Sequence, residues 1–379
     1  MTIPKSVHAT FLPFILSRFL ILTVFLGAPQ LVSHGPDASG YRTMTFAGQR
    51  NKLPEAFRVG DTYYYADIAE NGYEHVPYEA STIHNWGFFP LYPLVLRAAA
   101  TITGEFYLTG ALLSTFFFFL SLIVLYRVVF LFGGNEDTAQ KAVFYLSIYP
   151  VSYFFSLAYA ESLFLLLILT CVVLAKRERW WLAALIGALA SATRVTGILI
   201  VPLLLLMYLQ TYHWKIRLNA LSVLLVPTGL VAFMFYIGRI TGNALAVIQS
   251  QSASGRDVSG VFFFKPLLEF VLHPGGFWGW SFAPFCFGIA MLALWSAADL
   301  FLKRSWALAV FTILSLVMPL STGTMTSIPR YMMVVFPILI SLANVAQRPS
   351  LDHVIRMVFT AFLTLMALAC ALHYTFAVT

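Results

Sequence analysis

The sequence predicts an all-α, polytopic membrane protein that forms a single integral membrane domain over residues 1–379. Apolar residues make up 60% of the chain and Asp, Glu, Lys and Arg only 10%, whereas soluble domains carry roughly 25% charged residues. Mean hydropathy is +0.82, and aromatic residues reach 16%. A soluble core cannot hold this much apolar surface, so lipid must solvate much of it. These values exclude disordered, collagen-like and solenoid classes.

Ten apolar runs are candidate membrane spans, because about 20 apolar residues cross a bilayer. They cover residues 11–32, 108–132, 141–156, 161–176, 181–210, 217–238, 277–301, 306–320, 331–347 and 354–376. The run 181–210 is too long for one span at about 1.5 Å per residue unless it tilts steeply. We therefore predict a break at residues 193–197 and about 11 transmembrane segments.

Basic residues set the predicted sidedness, because cytoplasmic loops are enriched in Lys and Arg. If 181–210 crosses twice, one side receives Lys5, residues 176–179, Lys215, Arg217, Lys303, Arg304 and Arg348. The external loops are then 33–107, 239–276 and 321–330. The first two are too long to be simple connections, so we expect function there. A single tilted helix over 181–210 would invert everything after it.

The formal charge of +7 and the three cysteines do not indicate further partners. In a membrane protein the excess of cations reports on sidedness, so no nucleic acid partner is expected. Cys171, Cys286 and Cys370 lie in apolar runs without disulfide or metal spacing. No metal site and no cofactor are predicted, although a divalent metal is not excluded.

In the first external loop, a short helix over 61–71 would place Asp61, Tyr65 and Ile68 on one face and end at Gly72. One carboxylate then stands beside a tyrosine on an otherwise apolar stripe, which suits a catalytic group. The alternative is that Asp61 caps the helix by accepting backbone N–H bonds.

Three other charged residues have both a functional and an ordinary interpretation. Arg194 lies in the middle of an apolar run and is expected to bind a phosphate or a buried carboxylate, or to sit at a turn between short helices. Glu161 either contributes to a site or satisfies the first turn of a helix. Arg330 suits a phosphate through its forked donors, but an interfacial arginine at a span boundary is ordinary.

Four signatures in order resemble bacterial relatives of the GPI mannosyltransferase PIG-V family, which belongs to the GT-C glycosyltransferase superfamily. They are Asp61 to Tyr73 followed by Phe88-Phe89-Pro90-Leu91-Tyr92-Pro93-Leu94, Tyr149 to Leu165, Ala192 to Gly197, and Ile328-Pro329-Arg330-Tyr331 with Phe336-Pro337. Together they cover most of the chain. The chain departs from the family at Gly60, where the resemblance implies Trp.

The resemblance implies a GT-C-like bundle with a large first external loop and an inverting sugar transfer. The donor would be a polyprenyl-phosphate-linked sugar, by family name mannose, and the acceptor a hydroxyl of a lipid, glycan or protein on the outer or luminal face. Asp61 would be the general base and Glu161 a second catalytic carboxylate. Substrate and donor would be bound by Arg194, Arg330, Tyr64 and Tyr65.

Two other function classes remain open at this stage. A transporter or flippase for a lipid-linked sugar would also use Arg194, but polar residues should then follow a path through several spans. A non-catalytic membrane subunit of a glycosylation complex is the other alternative. The compact chain favours a prokaryotic plasma membrane, with the active site on the external face and the lipid bilayer as a partner.

Overall fold

The computed structural model describes residues 5–31, 56–79, 82–254, 256, 262–273, 282–374 and 377. Within these ranges the regular structure is entirely helical. The α-helices are α1 Lys5–Leu31, α2 Thr62–Asn71, α3 Leu91–Thr103, α4 Tyr107–Leu131, α5 Glu136–Ser147, α6 Glu161–Lys176, α7 Trp180–Ser191, α8 Ile200–Thr211, α9 Thr228–Thr241, α10 Ala246–Gln249, α11 Lys265–Leu272, α12 Ala283–Leu302, α13 Trp306–Leu320, α14 Ile328–Met332, α15 Phe336–Val345 and α16 Pro349–Ala371. Short 3-10 helices cover Asn85–Gly87, Ser152–Ser156, Val195–Leu199, Leu218–Leu225 and Ser252–Ser254.

Five helical stretches in the described ranges are long and apolar enough to cross a membrane. They are Lys5–Ala28, Tyr107–Leu131, Leu218–Thr241, Ala283–Leu302 and Pro349–Ala371. Further apolar helices of 10–17 residues accompany them. The chain is therefore a multi-pass, all-helical membrane protein, which confirms the predicted fold class. The number of about 11 segments stays a prediction.

The long run 181–210 is broken where the sequence predicts it. Helix α7 ends at Ser191, Arg194 has an extended backbone with φ −154° and ψ 148°, and a 3-10 helix precedes α8. The chain turns tightly here, because a Cβ atom added to Gly197 would lie 2.5 Å from the Cα atom of Ser191. The break thus places Arg194 outside any continuous helix.

Three other predicted spans contain interruptions that the hydropathy pattern did not reveal. In 141–156, α5 ends at Ser147, shortly before Pro150. In 217–238, a 3-10 helix gives way to α9 after Pro227. In 331–347, α14 and α15 are separate, and Pro337 lies in the first turn of α15. Proline lacks a backbone donor, so neither Pro150 nor Pro227 can supply the hydrogen bond that would continue the preceding helix, which accounts for the first two interruptions.

Parts of two predicted external loops and the ends of three predicted spans lie outside the described residues. These are positions 32–55 and 80–81 around the first loop, positions 255, 257–261 and 274–281 around the 239–276 loop, and positions 375–376 at the end of the last span. The described remainder of the loops contributes α2, α3, α10, α11 and two of the 3-10 helices.

The core is built around α4, which packs against α1, α5 and α6. Close approach is possible because Gly110 on α4 lies against the chain just before α6. A Cβ atom at Gly110 would lie 2.4 Å from the Cβ atom of Ala158. Small residues at such contacts are typical of helices packed in membranes.

Arg18 in the apolar α1 stabilises the interrupted segment after α5. Its guanidinium donates to the backbone oxygens of Ser147 and Ser152, both at 3.0 Å, and to the hydroxyls of Ser152 and Ser156. Carbonyl groups at a helix C-terminus have no partner within the helix. Arg18 therefore satisfies backbone groups that the interruption leaves unpaired.

Candidate functional site

Asp61 immediately precedes α2 and lies at its N-terminus. Its side chain makes no capping hydrogen bond, so the capping interpretation is wrong. Instead, Oδ2 accepts a hydrogen bond of 2.6 Å from Nη1 of Arg330, and the backbone N–H donates to Oη of Tyr159 at 2.8 Å. The side chain is 28% exposed. Asp61 is therefore ion-paired and still accessible to a ligand.

Gly60 forms the backbone turn that leads into α2. Its φ of +54° lies in the left-handed region, which favours glycine because it has no Cβ atom. A tryptophan at this position would be strained in the same conformation. Glycine in place of the tryptophan of the family pattern therefore suits the backbone conformation of this turn.

Glu161 is the first residue of α6 and is completely buried. Its Oε1 accepts a hydrogen bond of 2.5 Å from Nε of Arg330, and the same oxygen is ion-paired with Nη1 of Arg194. Its Oε2 has no hydrogen-bond partner among the described residues. The carboxylate thus joins Arg194 to Arg330, which lies 136 residues later in the sequence.

Both arginines are held mainly inside the protein, with about 10% of each side chain exposed. The guanidinium of Arg330 lies 4.5 Å from the ring centroid of Tyr159 and 5.0 Å from that of Phe154. Arg194 lies 5.2 Å from the ring centroid of Tyr331. Arg330 is consequently not an exposed boundary residue, and the expectation that Arg194 meets a buried carboxylate matches the structure.

The four charged side chains form a continuous chain from the surface inward. Asp61 binds Arg330, Arg330 binds Glu161, and Glu161 binds Arg194. Two negative charges face two positive charges, so each charged group has a partner of opposite sign that offsets part of the cost of its burial. The arrangement fixes the orientation of Asp61 relative to the interior.

A cavity of about 500 Å³ lies against this network. Its walls come from the first loop, the break in 181–210, the 239–276 loop and the end of α13 with the 321–330 loop. The described lining residues are Asp61, Tyr64, Tyr65, Ile83, His84, Gly87, Phe88, Phe89, Thr193, Arg194, Val195, Thr196, Val247, Ile248, Ser250, Gln251, Arg256, Met318, Pro319, Ser321, Thr322, Thr324, Thr326, Ser327, Arg330 and Tyr331. All the site residues predicted from sequence are there except Glu161, which lies behind the arginines.

Tyr64 and Tyr65 form an aromatic wall next to Asp61. The ring of Tyr64 stacks on Phe88 with centroids 4.5 Å apart, and the buried Tyr65 meets Tyr92 edge-on at 5.2 Å. Burial raises the pKa of both phenols, and the negative charge of Asp61 raises that of Tyr64 further. Both side chains therefore stay protonated at neutral pH and present neutral surfaces to a ligand.

His84 also lines the cavity, and its local sequence did not single it out as a site residue. Its ring stacks on Trp86 with centroids 3.9 Å apart, and Nδ1 pairs with the carboxylate of Glu74. The backbone of Glu74 is fixed in turn, because its carbonyl accepts a hydrogen bond of 2.9 Å from Nε1 of Trp86. In the sequence, only the aromatic residues from position 86 onward indicated that this part of the loop packs against the protein.

Hydroxyl groups form another part of the cavity wall. Ser321, Thr322, Thr324, Thr326 and Ser327 come from the loop between α13 and α14. Hydroxyls can both donate and accept, so such a border suits a polyhydroxylated ligand. The run of hydroxyl residues between two apolar spans was the available signal in sequence.

The described residues contain no group of three or more His, Cys, Asp or Glu side chains placed to hold a metal ion. The carboxylates of Asp61 and Glu161 are instead occupied by arginines. The candidate site is thus an accessible carboxylate and cationic groups around a cavity with aromatic and hydroxyl walls.

Residues 43–254 match the family model described as Mannosyltransferase (PIG-V). The chain is 27% identical over 246 residues to the human protein named GPI alpha-1,6-mannosyltransferase 2, a match that covers 60% of this chain and 48% of that protein. The Cricetulus griseus protein of the same name is 29% identical over 155 residues, covering 38% of this chain and 30% of that protein. The chain thus spans at most about half the length of these curated relatives.

Among solved structures, similarity extends to the oligosaccharyltransferase of Archaeoglobus fulgidus. The apo form superposes with a TM-score of 0.49 at 14% identity, covering 97% of this chain and 55% of that chain. The form tethered to an acceptor peptide containing the NVT sequon gives a TM-score of 0.47 at 13% identity, covering 96% and 55%.

Proposed function

We propose, since this chain belongs to the Mannosyltransferase (PIG-V) family, that it is a membrane glycosyltransferase that moves mannose from a polyprenyl-phosphate-linked donor to an acceptor hydroxyl. The acceptor is a lipid, a glycan or a protein. One observation carries the proposal beyond family membership: Asp61, an accessible carboxylate, lines the same cavity as a set of arginines. Sugar transfer from a phosphate carrier needs both groups.

In the proposed reaction Asp61 is the general base. Its carboxylate takes the proton of the acceptor hydroxyl while the acceptor oxygen forms a bond to the anomeric carbon. The bond from that carbon to the phosphate oxygen breaks, and its electron pair leaves with the polyprenyl phosphate. Attack opposite the leaving group inverts the anomeric configuration. A base must lie within hydrogen-bond reach of the proton it removes, and the exposure of Asp61 allows this.

In this proposal Glu161 is a positioning residue rather than a group that touches substrate. It is buried and absent from the cavity wall, but it binds Arg194 and Arg330. Arg330 in turn holds Asp61. Fixed charges around a reacting centre need not reorganise during the reaction, which is a large part of electrostatic catalysis.

We assign the cavity to the external face of a plasma membrane. Loops 33–107, 239–276 and 321–330 all contribute to the cavity wall, and the positive-inside pattern assigns these loops to the outside. The lysines and arginines of 176–179 and 303–304 lie at or just after the C-terminal ends of α6 and α12. A lipid-linked donor can reach such a site from the bilayer.

The test is transfer by the purified protein in proteoliposomes, with synthetic polyprenyl-phosphate-mannose and a panel of glycolipid and peptide acceptors. We expect a mannosylated product whose anomeric configuration, read by NMR, is opposite to that of the donor. The same lipid phosphate carrying glucose and the nucleotide donor GDP-mannose serve as controls and should react poorly. Retention of configuration would overturn the mechanism. Movement of the donor across the bilayer without transfer would favour a flippase.

A further inference from the structure

The arginines predicted to bind the donor phosphate are already neutralised by protein carboxylates. Arg194 pairs with Glu161, and Arg330 pairs with both Glu161 and Asp61. Two carboxylates balance two guanidinium groups, so this network offers a phosphate no net positive charge. A lipid-linked donor needs a cation whose charge is not already matched.

Arg256, from the 239–276 loop, is a third arginine among the described residues that line the cavity. Its Nη1 donates to Oε1 of Gln251 at 2.7 Å and to Oη of Tyr331 at 3.4 Å, and its Nη2 donates to Oγ of Ser327 at 3.5 Å. These acceptors are all uncharged. Within the part of the chain that the structure describes, no carboxylate forms an ion pair with Arg256.

The surroundings of Arg256 connect it to the reacting centre. Tyr331 contacts Arg256 through its hydroxyl and Arg194 through its ring. The phenol ring thus separates the two cations while keeping both at the same cavity. Gln251, which also lines the cavity, supplies the short hydrogen bond that orients the guanidinium.

We propose that Arg256 binds the phosphate of the lipid-linked donor and stabilises the charge that develops on it. This inference rests on the proposed function and names the residue that meets the leaving group. The donor phosphate is a diester with one negative charge. When the bond from the anomeric carbon to oxygen breaks, the electron pair stays on the phosphate, which becomes a monoester with up to two negative charges. A cation at this point therefore binds the leaving group more strongly than the donor.

The first test is binding of farnesyl phosphate, a short prenyl phosphate, to the full-length protein in detergent by calorimetry. Farnesol, which lacks the phosphate, is the uncharged comparison. A hydrogen bond to a charged group contributes enough to change affinity by about 10-fold or more. We expect Arg256→Gln to weaken farnesyl phosphate binding by at least that factor and to leave farnesol binding unchanged. Arg256→Lys should recover part of the loss.

Arg239→Gln is the matched control. Arg239 lies at the end of α9, is exposed, packs on Phe235 and does not line the cavity. The substitution removes the same charge from the same predicted side, so general electrostatic attraction would respond equally in both variants. Thermal unfolding of each variant identifies any loss of folding. Equal farnesyl phosphate affinity in the wild type and Arg256→Gln would overturn the proposal.

Transfer kinetics separate this proposal from the proposed function. We expect Arg256→Gln to raise KM for polyprenyl-phosphate-mannose, to lower kcat and to weaken product inhibition by polyprenyl phosphate. If the wild type transfers mannose and Arg256→Gln does so with unchanged constants, the phosphate assignment is wrong while the function stands. If the wild type binds farnesyl phosphate through Arg256 but transfers no sugar to any acceptor, the proposed transfer reaction is overturned.

Discussion

Replacing Glu161 by glutamine tests the buried charge network most severely. Glutamine has nearly the same shape but no charge, so Arg194 loses its carboxylate partner among the described residues, while Arg330 keeps its ion pair with Asp61. Glu161 is 0% exposed, and water cannot replace it easily. Removing one partner of a buried ion pair costs about 3–5 kcal/mol. We expect Glu161→Gln to lower the free energy of unfolding by that amount.

The assay is denaturant unfolding in detergent micelles, followed by labelling of thiols. Cys171, Cys286 and Cys370 are all free and buried, so a thiol-reactive dye reports the loss of native packing. Glu269→Gln is the control, because Glu269 belongs to an exposed pair with Lys265 at 3.7 Å. Exposed pairs of this kind are worth about 0.3–0.5 kcal/mol. A cost for Glu161→Gln as small as that of the control would refute the reasoning.

Two further predictions concern packing and alkaline pH. Gly229→Ala should destabilise the protein, because the added Cβ atom would lie 2.1 Å from the carbonyl oxygen of Ala188. The control is Gly288→Ala, where nothing lies within 4 Å of the added atom. Thermal unfolding of both variants should show a loss of stability for Gly229→Ala and none for Gly288→Ala. Burial raises the pKa of Tyr65, so the folded state keeps a proton that the unfolded state releases above about pH 10. The free energy of unfolding should therefore fall as pH rises through that range. In Tyr65→Phe this fall should be less steep by about 1.4 kcal/mol per pH unit. An equally steep fall in both proteins would contradict the assignment.

Hydropathy predicted the helical class and the break at 193–197, because a 30-residue apolar run from 181 to 210 cannot fit one span without steep tilt. It did not predict the interruptions near Pro150 and Pro227, since both prolines lie within runs that are mainly apolar. Average hydropathy over a window contains no information about a missing backbone donor.

The candidate site was only partly predictable for a different reason. The position of Asp61 at the start of α2 follows from local spacing, but its partner Arg330 is 269 residues away. Local sequence favoured an ordinary boundary role for Arg330 because the pairing depends on how α2, α6 and α14 come together. Likewise, nothing in sequence distinguished Arg256 from other charges of its loop, because only the folded structure shows that no carboxylate among the described residues forms an ion pair with it.

The central claim is that Asp61 acts as the base of a mannosyl transfer in this cavity. The most direct measurement is the kcat of mannose transfer from polyprenyl-phosphate-mannose by the wild type and Asp61→Asn, with farnesyl phosphate binding measured on the same preparations. A positioned base contributes about 100- to 10,000-fold. We predict a loss of kcat in that range, with an affinity for farnesyl phosphate at least as high as that of the wild type, because the substitution removes a negative charge next to Arg330. Transfer by Asp61→Asn at the rate of the wild type would contradict the claim.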